Sequence, residues 1–290
     1  LAAHADVSGP VAALLVVVPV AVGDALAPLV DAMRSLARSA AAKARMAALL
    51  DQRPAVAEPA TRGEPAAYLD GRPHLRIRGV TASWTGARTD LPATTLDLPP
   101  GRRVAIVGAN GSGKSTLLAV LARHLDATSG NYTLDGVDVR DLPVEAVRRL
   151  IAVVDDEPHV FASTLRANLL VASPDATDSD VTRALRGAGL SGWLTALPDG
   201  LDTVLGTGGR GISGGERARL GLARALVSGR PIILLDEPVA HLDHATAEAI
   251  LADLTGATHD RTVVMVSHRD DGFSGFDHII DLTPAHHLGG

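Results

Sequence analysis

The distribution of apolar residues divides the chain into an N-terminal helical region and a longer region of mixed pattern. Residues 11–22 read VAALLVVVPVAV, an uncharged run that is shorter than the roughly 20 residues of a full membrane span. Over residues 24–50, apolar side chains recur at helical spacing with arginines on the other faces, which predicts one amphipathic helix. We interpret both segments as the tail of a membrane helix that continues into the cytoplasm. An ordinary core helix is the alternative.

The pattern changes after a stretch rich in proline and glycine, residues 51–73, whose composition is typical of a linker. Beyond it, short apolar runs alternate with helical patterns, which favours a largely parallel sheet with helices packed on it. The predicted strands are residues 75–80, 94–98, 103–108, 151–154, 231–236 and 262–267. The predicted helices are residues 114–125, 178–190 and 214–229.

Composition narrows the classes of function. With 46% apolar residues, the 290-residue chain can fill a sizeable core, and its length fits one large domain with an appendage or two modest domains. The absence of cysteine excludes disulfide scaffolds, thiolate zinc sites and cysteine nucleophiles. A net charge of −6, from 27 basic and 33 acidic residues, argues against a general nucleic-acid binder, so no nucleic-acid partner is expected.

A glycine-rich loop follows the strand RVAIV and precedes a predicted helix. Its sequence, Gly108-Ala-Asn-Gly-Ser-Gly-Lys114-Ser115-Thr116, satisfies the pattern G-x-x-x-x-G-K-[ST] in the strand–loop–helix context that gives this pattern its meaning. Glycines let successive backbone N–H groups turn inward around an anion, and the helix N-terminus adds its positive end. The motif predicts that Lys114 reaches the β- and γ-phosphates of a nucleotide and that the Ser115 hydroxyl ligates Mg²⁺.

A second element is an apolar strand that ends in two acids, Asp236 and Glu237. Because an unpaired carboxylate is costly to bury, acids that close such a strand usually face a cation or a polar partner. Asp236 is the candidate for the Mg²⁺ shell, and Glu237 is the candidate general base for the attacking water. An apolar run ending in Asp-Glu is a weak signal alone and gains weight from the phosphate loop.

Three further motifs complete a known order. Ile212-Ser213-Gly214-Gly215-Glu216 stands between the two elements, and Ala240-His241-Leu242-Asp243 and His268 follow them. In this order the chain resembles the ATP-binding cassette family, whose signature, D-loop and switch histidine these residues match over about residues 74–283. The resemblance implies an α/β fold of the P-loop NTPase type, with a parallel-sheet core, an antiparallel β subdomain and a helical signature subdomain, preceded by the end of a transmembrane helix.

The resemblance also implies a division of the chain and a set of site residues. The implied parts are residues 1–50, the end of the transmembrane domain; 51–73, a linker; 74–283, the nucleotide-binding domain; and 284–290, a tail. Two cassettes are expected to close head to tail around ATP and Mg²⁺. The implied catalytic residues are Glu237 and His268. The residues implied to act on the partner's ATP are Ser213, Gly214, Gly215 and Glu216. The implied nucleotide-binding residues are Trp84, which stacks on adenine, and Gly108, Asn110, Gly111, Ser112, Gly113, Lys114, Ser115 and Thr116.

Some positions depart from the family pattern. Asp156 stands where the family has Gln, and Asp has a shorter reach and adds negative charge near the phosphates. This departure weakens the expectation that Asp156 joins Ser115 and Asp236 as a Mg²⁺ ligand. Glu216 and Ile212 are milder changes from the Gln and Leu of the signature.

The stretch PHVFASTLRANL is similar to half-transporter exporters, in which the last membrane helix enters the cassette through a linker. Within exporters, SGGE and DEPVAHLD look most like the CydC-type subunit of the heterodimeric exporter needed for cytochrome bd assembly. This implies a CydD-like second half-transporter as partner, membrane lipid around the N-terminal helix, and a small-molecule cargo such as glutathione, cysteine or haem. The implied location is the bacterial plasma membrane, with the cassette on its cytoplasmic face. The chain would then hold the end of the membrane domain and a complete cassette.

Other functions stay open at this point. A regulatory cassette that closes on ATP and hardly hydrolyses it is motivated by Asp156. A multidrug or lipid exporter is a further alternative within the family. A soluble cassette ATPase of the DNA-repair or translation class lacks support, because the chain has no coiled-coil insertion, second cassette or basic face.

Overall fold

The computed structural model describes residues 8–51, 54–59, 71–206, 211–240, 242–268, 273 and 275–282. The predicted tail at 284–290, His241 of the D-loop motif and residues 207–210 ahead of the signature lie outside the described residues. The chain forms two compact units, Leu1–Pro54 and Ala55–Gly290. The larger unit therefore begins inside the stretch that the sequence suggests as a linker.

The first unit contains one long helix, α1 (Gly9–Leu50), which continues through Pro19 and Pro28. The sequence suggests a separate apolar run before a helix at 24–50, whereas the structure has a single element. Each proline removes one backbone hydrogen bond; strong helix formers, Ala25, Leu26, Ala27 and Leu29, surround Pro28, whereas valines surround Pro19. By length and composition, α1 is the one helix among the described residues that could cross a membrane.

The second unit alternates strands and helices. Its strands are β1 (Leu75–Ala82), β2 (Leu91–Leu98), β3 (Arg103–Val107), β4 (Ser129–Leu134), β5 (Val137–Asp138), β6 (Ile151–Val154), β7 (Ile232–Asp236), β8 (Thr262–Val266) and β9 (His278–Asp281). Its α-helices are α2 (Lys114–Leu121), α3 (Val144–Arg149), α4 (Leu165–Leu170), α5 (Asp178–Gly187), α6 (Ser191–Ala196), α7 (Gly214–Val227) and α8 (His244–Ala257). The described residues of this unit also form short 3₁₀ helices at Val139–Asp141 and Gly200–Asp202.

The strands form two sheets. One is parallel, in the order β6-β7-β8-β3-β9, and the other is antiparallel, in the order β2-β1-β4-β5. All six predicted strands are present, with ends that differ by up to three residues. The predicted α/β architecture with a parallel core and an antiparallel subdomain is confirmed.

The parallel sheet separates two apolar cores. In β7, Ile233 and Leu235 face the core formed with α4, α5, α7 and α8. Ile232 and Leu234 face the core shared with α2 and the antiparallel sheet. A strand buried on both faces reads as a continuous apolar run, which is why IILL carries no alternation.

Candidate functional site

The candidate site lies at one edge of the parallel sheet. Parallel strands place their carboxyl ends together, so the residues that follow β3, β6, β7 and β8 meet there. The phosphate loop follows β3, Asp155 and Asp156 follow β6, Glu237 follows β7, and His268 lies just beyond β8. The topology therefore brings together motifs that are far apart in sequence.

The phosphate loop has the backbone that its glycines allow. Gly108, Gly111 and Gly113 have φ of 150°, 82° and 98°, values that L side chains rarely adopt. Gly113 directly precedes α2, so the loop ends at a helix N-terminus. The Oγ of Ser112 is buried and has no hydrogen-bond partner, which leaves one polar group available to an anion.

Lys114 begins α2 and its side chain is 5% exposed. Its Nζ donates hydrogen bonds to the carbonyls of Gly108 at 2.7 Å and Ala109 at 3.0 Å, so the side chain folds over the loop. Burial lowers the pKa of Lys114, and the carboxylates of Glu237 and Asp236 oppose this effect. The ammonium group is thus fixed at the loop on the side of the two acids.

Asp236 closes β7 at the point where acidic side chains converge. Burial raises the pKa of Asp236, and the charges of Glu237 and Asp156 raise it further. A hydrogen bond from the Ser115 hydroxyl acts in the opposite direction. Within the described part of the chain, no group of three His, Cys, Asp or Glu side chains could hold a metal ion by itself. A cation here would need ligands from a phosphate as well as from Ser115 and Asp236.

Glu237 and His268 are in direct contact. Glu237 has a positive φ of 47°, an uncommon conformation for a non-glycine residue, and its backbone N–H donates to the carbonyl of Val266 at 3.1 Å. Its carboxylate pairs with Nε2 of His268, and Nδ1 of that ring lies 3.3 Å from Nζ of Lys114. The candidate base, the candidate switch histidine and the loop lysine therefore form one chain of polar contacts.

These residues border an open cleft of about 570 Å³. Trp84, at 53% exposed, stands at its rim, and its Nε1 donates to Oγ1 of Thr116 at 3.4 Å. Of the predicted site residues, the cleft is lined by Trp84, Asn110, Gly111, Gly113, Lys114, Ser115, Thr116, Glu237 and His268. A pocket of this volume with a glycine-rich floor, two cationic side chains and one exposed indole suits a purine nucleotide.

Sequence reasoning missed one side of this cleft, which is formed by Arg88, Thr89 and Asp90. Asp90 accepts the backbone N–H of Trp84 at 2.8 Å and the Nε of Arg88 at 2.7 Å. The hydrogen bond from the backbone N–H of Trp84 is the main cause that lowers the pKa of Asp90. These residues lie in a polar connection between β1 and β2 that carries no motif, so only the fold could reveal them.

The signature residues lie elsewhere. Ser213, Gly214, Gly215 and Glu216 are not among the residues that line the cleft. Ser213 caps α7 and is exposed. Its N–H donates to the Glu216 carboxylate at 2.7 Å, and its Oγ accepts the N–H of Glu216 at 3.2 Å. The Glu at this signature position thus supports the helix N-terminus as a capping box does.

Asp156 is exposed at the end of β6. Its Oδ1 accepts the N–H of Glu157 at 2.8 Å, and its charge influences Asp236. The structure therefore brings Asp156 near enough to Asp236 to affect its pKa, but Asp156 is not among the residues that line the cleft.

Comparison with known proteins finds similarity to ABC transporters. Residues 91–240 match the family model described as ABC transporter. The chain is similar to a glutathione/L-cysteine transport system ATP-binding/permease protein, CydC, of Escherichia coli, at 39% identity over 94% of this chain and 47% of that protein. It is also similar to a mycobactin import ATP-binding/permease protein, IrtB, of Mycolicibacterium thermoresistibile, at 40% identity over 90% of this chain and 44% of that protein.

A third relative is an ATP-dependent lipid A-core flippase of Thiobacillus denitrificans, at 37% identity over 81% of this chain and 40% of that protein. The chain spans less than half the length of these three relatives. Among solved structures, it is similar to a bacterial Atm1-family ABC exporter with ATP bound, with a TM-score of 0.72 and 30% identity over 86% of this chain and 44% of that chain. The phosphate loop, the strand-end acids and the family match together make this chain a member of the ABC transporter family, with the fold of ABC exporters.

Proposed function

We propose that this chain is the ATP-hydrolysing motor of a membrane exporter that works as a pair of cassettes. The observation that carries this proposal is the separation of the signature from the chain's own cleft. Ser213 is exposed at the N-terminus of α7, and none of the signature residues borders the cleft that holds Lys114 and Glu237. A signature in this position can serve only a nucleotide held by another cassette, as the family's head-to-tail closure requires.

The residues present fit ATP with Mg²⁺. The phosphate loop offers a helix N-terminus, the Lys114 ammonium and the unpartnered Ser112 hydroxyl to the phosphates. Ser115 and Asp236 are the residues that would hold Mg²⁺, and Asp156 is the third candidate. When bound, Mg²⁺ would neutralise charge on the β- and γ-phosphates.

The side chains around Glu237 suit hydrolysis. Glu237 takes the proton of a water molecule as that water attacks the γ-phosphorus, and the bond from this phosphorus to the β,γ-bridging oxygen breaks. His268 contacts Glu237 and lies beside Lys114, so it can orient the base and approach the γ-phosphate. Lys114 offsets the negative charge on the phosphate oxygens. Trp84 stacks on the adenine at the rim.

The membrane part of the proposal rests on α1. This helix is apolar over its N-terminal half, whereas Arg34, Arg38, Lys43 and Arg45 follow in its C-terminal half. Basic residues next to an apolar segment favour the cytoplasmic side. We therefore place α1 in the bacterial plasma membrane, surrounded by lipid, with the cassette on the cytoplasmic face. We also propose residues 51–73 as its linker to a nucleotide-binding domain at 74–283.

For the partner and cargo we propose a CydD-like half-transporter and the export of a thiol such as glutathione or cysteine, or of haem. The similarity to CydC over 94% of this chain supports this choice. The flippase relative supports the alternative of a lipid or multidrug exporter. The mycobactin importer among the relatives makes the direction of transport part of the test.

The test uses inside-out membrane vesicles that contain the transporter formed by this chain and its partner. We expect ATP-dependent accumulation of radiolabelled glutathione or cysteine, or of haem, that is lost with Lys114→Ala. Flipping of a fluorescent lipid without thiol or haem uptake would support the lipid exporter instead. Uptake only in right-side-out vesicles would contradict export. Recovery of the protein entirely in the soluble fraction would contradict the membrane assignment.

A further inference from the structure

A groove along α5 lies apart from the nucleotide cleft and has a similar volume, about 530 Å³. None of the described residues lines both cavities. One face of α5 borders this α5 groove over residues 180–187, and residues at the C-terminal ends of α7 and α8 line it as well. A cavity of this size can hold a small ligand, and the nucleotide motifs leave it without a role.

The apolar part of the α5 groove lies where the ends of three helices meet. Gly187 is the last residue of α5, and a Cβ there would lie 3.2 Å from Cδ1 of Leu226 in α7 and 3.3 Å from Cβ of Ala257 in α8. The absence of a side chain at Gly187 therefore lets the three helices approach closely. Ala176 and Ala184 add small apolar side chains to the same lining. Together these residues leave room for an aliphatic group of a ligand.

Arg261 gives the α5 groove a positive charge that forms no ion pair with a described residue. Its Nη1 and Nη2 donate to the backbone carbonyls of Ala225 and Leu226, each at 3.0 Å. The neighbouring Asp260 pairs with Arg72 instead, at 2.8 Å. Because a guanidinium has five N–H groups and two of them are used here, three remain for an anionic group.

Two carboxylates also line the α5 groove, and they differ in their partners. Asp180 is held at both oxygens, since Oδ1 accepts from Nη2 of Arg183 at 2.8 Å and Oδ2 accepts from the Thr177 hydroxyl at 2.6 Å. Asp175 is exposed, and its carboxylate has no hydrogen bond or ion pair with any other described residue. The groove therefore presents two charges without an ionic partner, positive at Arg261 and negative at Asp175.

These charges decide which class of ligand suits the α5 groove. Two arginines and two aspartates line it, so their formal charges cancel. A simple anion would meet the two carboxylates, and a simple cation would meet the two guanidinium groups. A zwitterion avoids both conflicts, because its carboxylate can lie near Arg261 and its ammonium group near Asp175. A short peptide with free termini carries these two charges and an apolar body between them.

We propose that the α5 groove is a binding site for a short apolar peptide with free termini. The peptide carboxylate accepts hydrogen bonds from Arg261, the ammonium group pairs with Asp175, and an aliphatic side chain covers Leu226 and Ala257. This site is separate from the ATP cleft, and it does not depend on the proposed transport function.

The experiment measures peptide binding to the complete transporter by isothermal titration calorimetry. The probe is the tripeptide Ala-Leu-Ala with free termini, and its C-terminal amide and its N-acetyl form are the matched control ligands. Each modification removes one of the two charges and keeps the apolar body. We expect each to weaken binding by roughly 10-fold, because each removes one charge-assisted contact.

Variants in this chain alone assign each charge of the peptide to a residue. Arg261→Gln should weaken binding of the unmodified peptide roughly 10-fold and leave the affinity for the amide unchanged. Asp175→Asn should do the same for the unmodified peptide and leave the affinity for the N-acetyl form unchanged. Arg230→Gln is the control for the arginine, because Arg230 donates to the carbonyl of Ile151 at 2.7 Å but does not line the groove. Asp199→Asn, at an exposed acid outside the groove, is the control for Asp175. Both controls should bind like the unmodified transporter.

Several results would overturn the inference. They are the absence of peptide binding, equal affinity for the three peptides, and equal weakening in the variants and their controls. Full affinity in both Arg261→Gln and Asp175→Asn would place the peptide elsewhere in the transporter, and loss of binding in Lys114→Ala would place it in the nucleotide cleft. If Arg261→Gln fails to fold, Asp175→Asn decides with the N-acetyl peptide, because the exposed Asp175 carboxylate has no contact to lose.

Discussion

At the residue scale, the acidic side of the cleft shows how one departure from the family pattern acts on its neighbours. Asp236 must lose its proton to hold a cation, and its raised pKa works against this. Burial is the main cause, and the charges of Glu237 and Asp156 add to it. A Gln in place of Asp156 would carry no charge. The extra carboxylate of Asp156 therefore makes Asp236 harder to ionise.

Asp156→Gln should lower the pKa of Asp236, because it removes one of the negative charges that favour the protonated form. ATPase activity at limiting Mg²⁺ should then persist to lower pH, since Asp236 stays ionised further into the acid range. The measurement is the acid limb of the pH–rate profile. Asp155→Asn is the control and should move the limb less, because Asp155 has a smaller effect on Asp236. A limb that stays in place in Asp156→Gln would contradict this account.

At the same scale, Gly113 is required for two separate reasons. Its φ of 98° is strained for any L side chain, and a Cβ would lie 2.8 Å from the carbonyl oxygen of Asp90. Gly136 offers a matched comparison, because its φ is 85° but a Cβ there would meet no atom within 4 Å. Comparing Gly113 with Gly136 therefore separates the effect of backbone strain from the effect of steric overlap.

Gly113→Ala should lower the free energy of unfolding by more than Gly136→Ala, for which left-handed strain alone predicts about 1–2 kcal/mol. Gly113→Ala should also abolish binding of a fluorescent ATP analogue, whereas Gly136→Ala should retain it. Chemical denaturation and a binding titration check both expectations. Equal destabilisation with intact binding in both variants would show that the overlap at Asp90 has no role.

At the element scale, motifs whose residues are adjacent in sequence could be predicted. A strand with few buried residues, and contacts between residues far apart in sequence, could not. The phosphate loop and the strand ending in Asp236 and Glu237 carry their chemistry in adjacent residues. The strand β4 was missed because SGNYTL buries only Tyr132 and Leu134, too few positions for a pattern. The hydrogen bond from Nη2 of Arg224 in α7 to Oδ1 of Asn168 in α4 was missed because the two residues are 56 positions apart in sequence and meet only after folding.

The stretch just after α1 makes tertiary contacts that its composition does not predict. Ala57 reads as part of a linker, yet its N–H donates to the Asp126 carboxylate at 2.9 Å and its carbonyl accepts from Arg123 at 3.2 Å. Arg123 is 1% exposed and pairs with Asp126 at 3.2 Å. Residues 55–57 are thereby attached beyond the C-terminal end of α2, the helix that starts at the phosphate loop.

Arg123→Leu should lower the free energy of unfolding of the larger unit by roughly 1–3 kcal/mol, because it leaves Asp126 without its buried partner. Hydrogen exchange at the Ala57 amide should become faster, and denaturation should detect the loss of stability. Arg140→Gln, which breaks the ion pair of the exposed Arg140 with the partly buried Asp138, should have a smaller effect, of less than about 1 kcal/mol. Equal effects of the two variants would contradict a structural role for the buried pair.

At the scale of the whole molecule, the cleft has the phosphate loop that binds ATP, but the signature residues of a closed cassette pair do not border it. One edge of the parallel sheet carries the site residues Lys114, Asp236, Glu237 and His268, which lie at or after the ends of β3, β7 and β8. Ser213 lies at the start of α7 and does not border the cleft. A single cassette could therefore bind ATP, but the family's closed state needs two. This is the reason to test the chain in its complete transporter.

The most direct measurement is the ATPase rate of that transporter with Glu237→Gln in this chain and an unmodified partner. Loss of the general base should reduce turnover by about 100-fold or more while ATP binding remains. Glu248→Gln, an exposed acid on α8, is the control and should leave the rate unchanged. A rate close to that of the unmodified transporter would contradict the account, because this cleft would then hold ATP without hydrolysing it and the chain would act by presenting Ser213 to its partner's ATP.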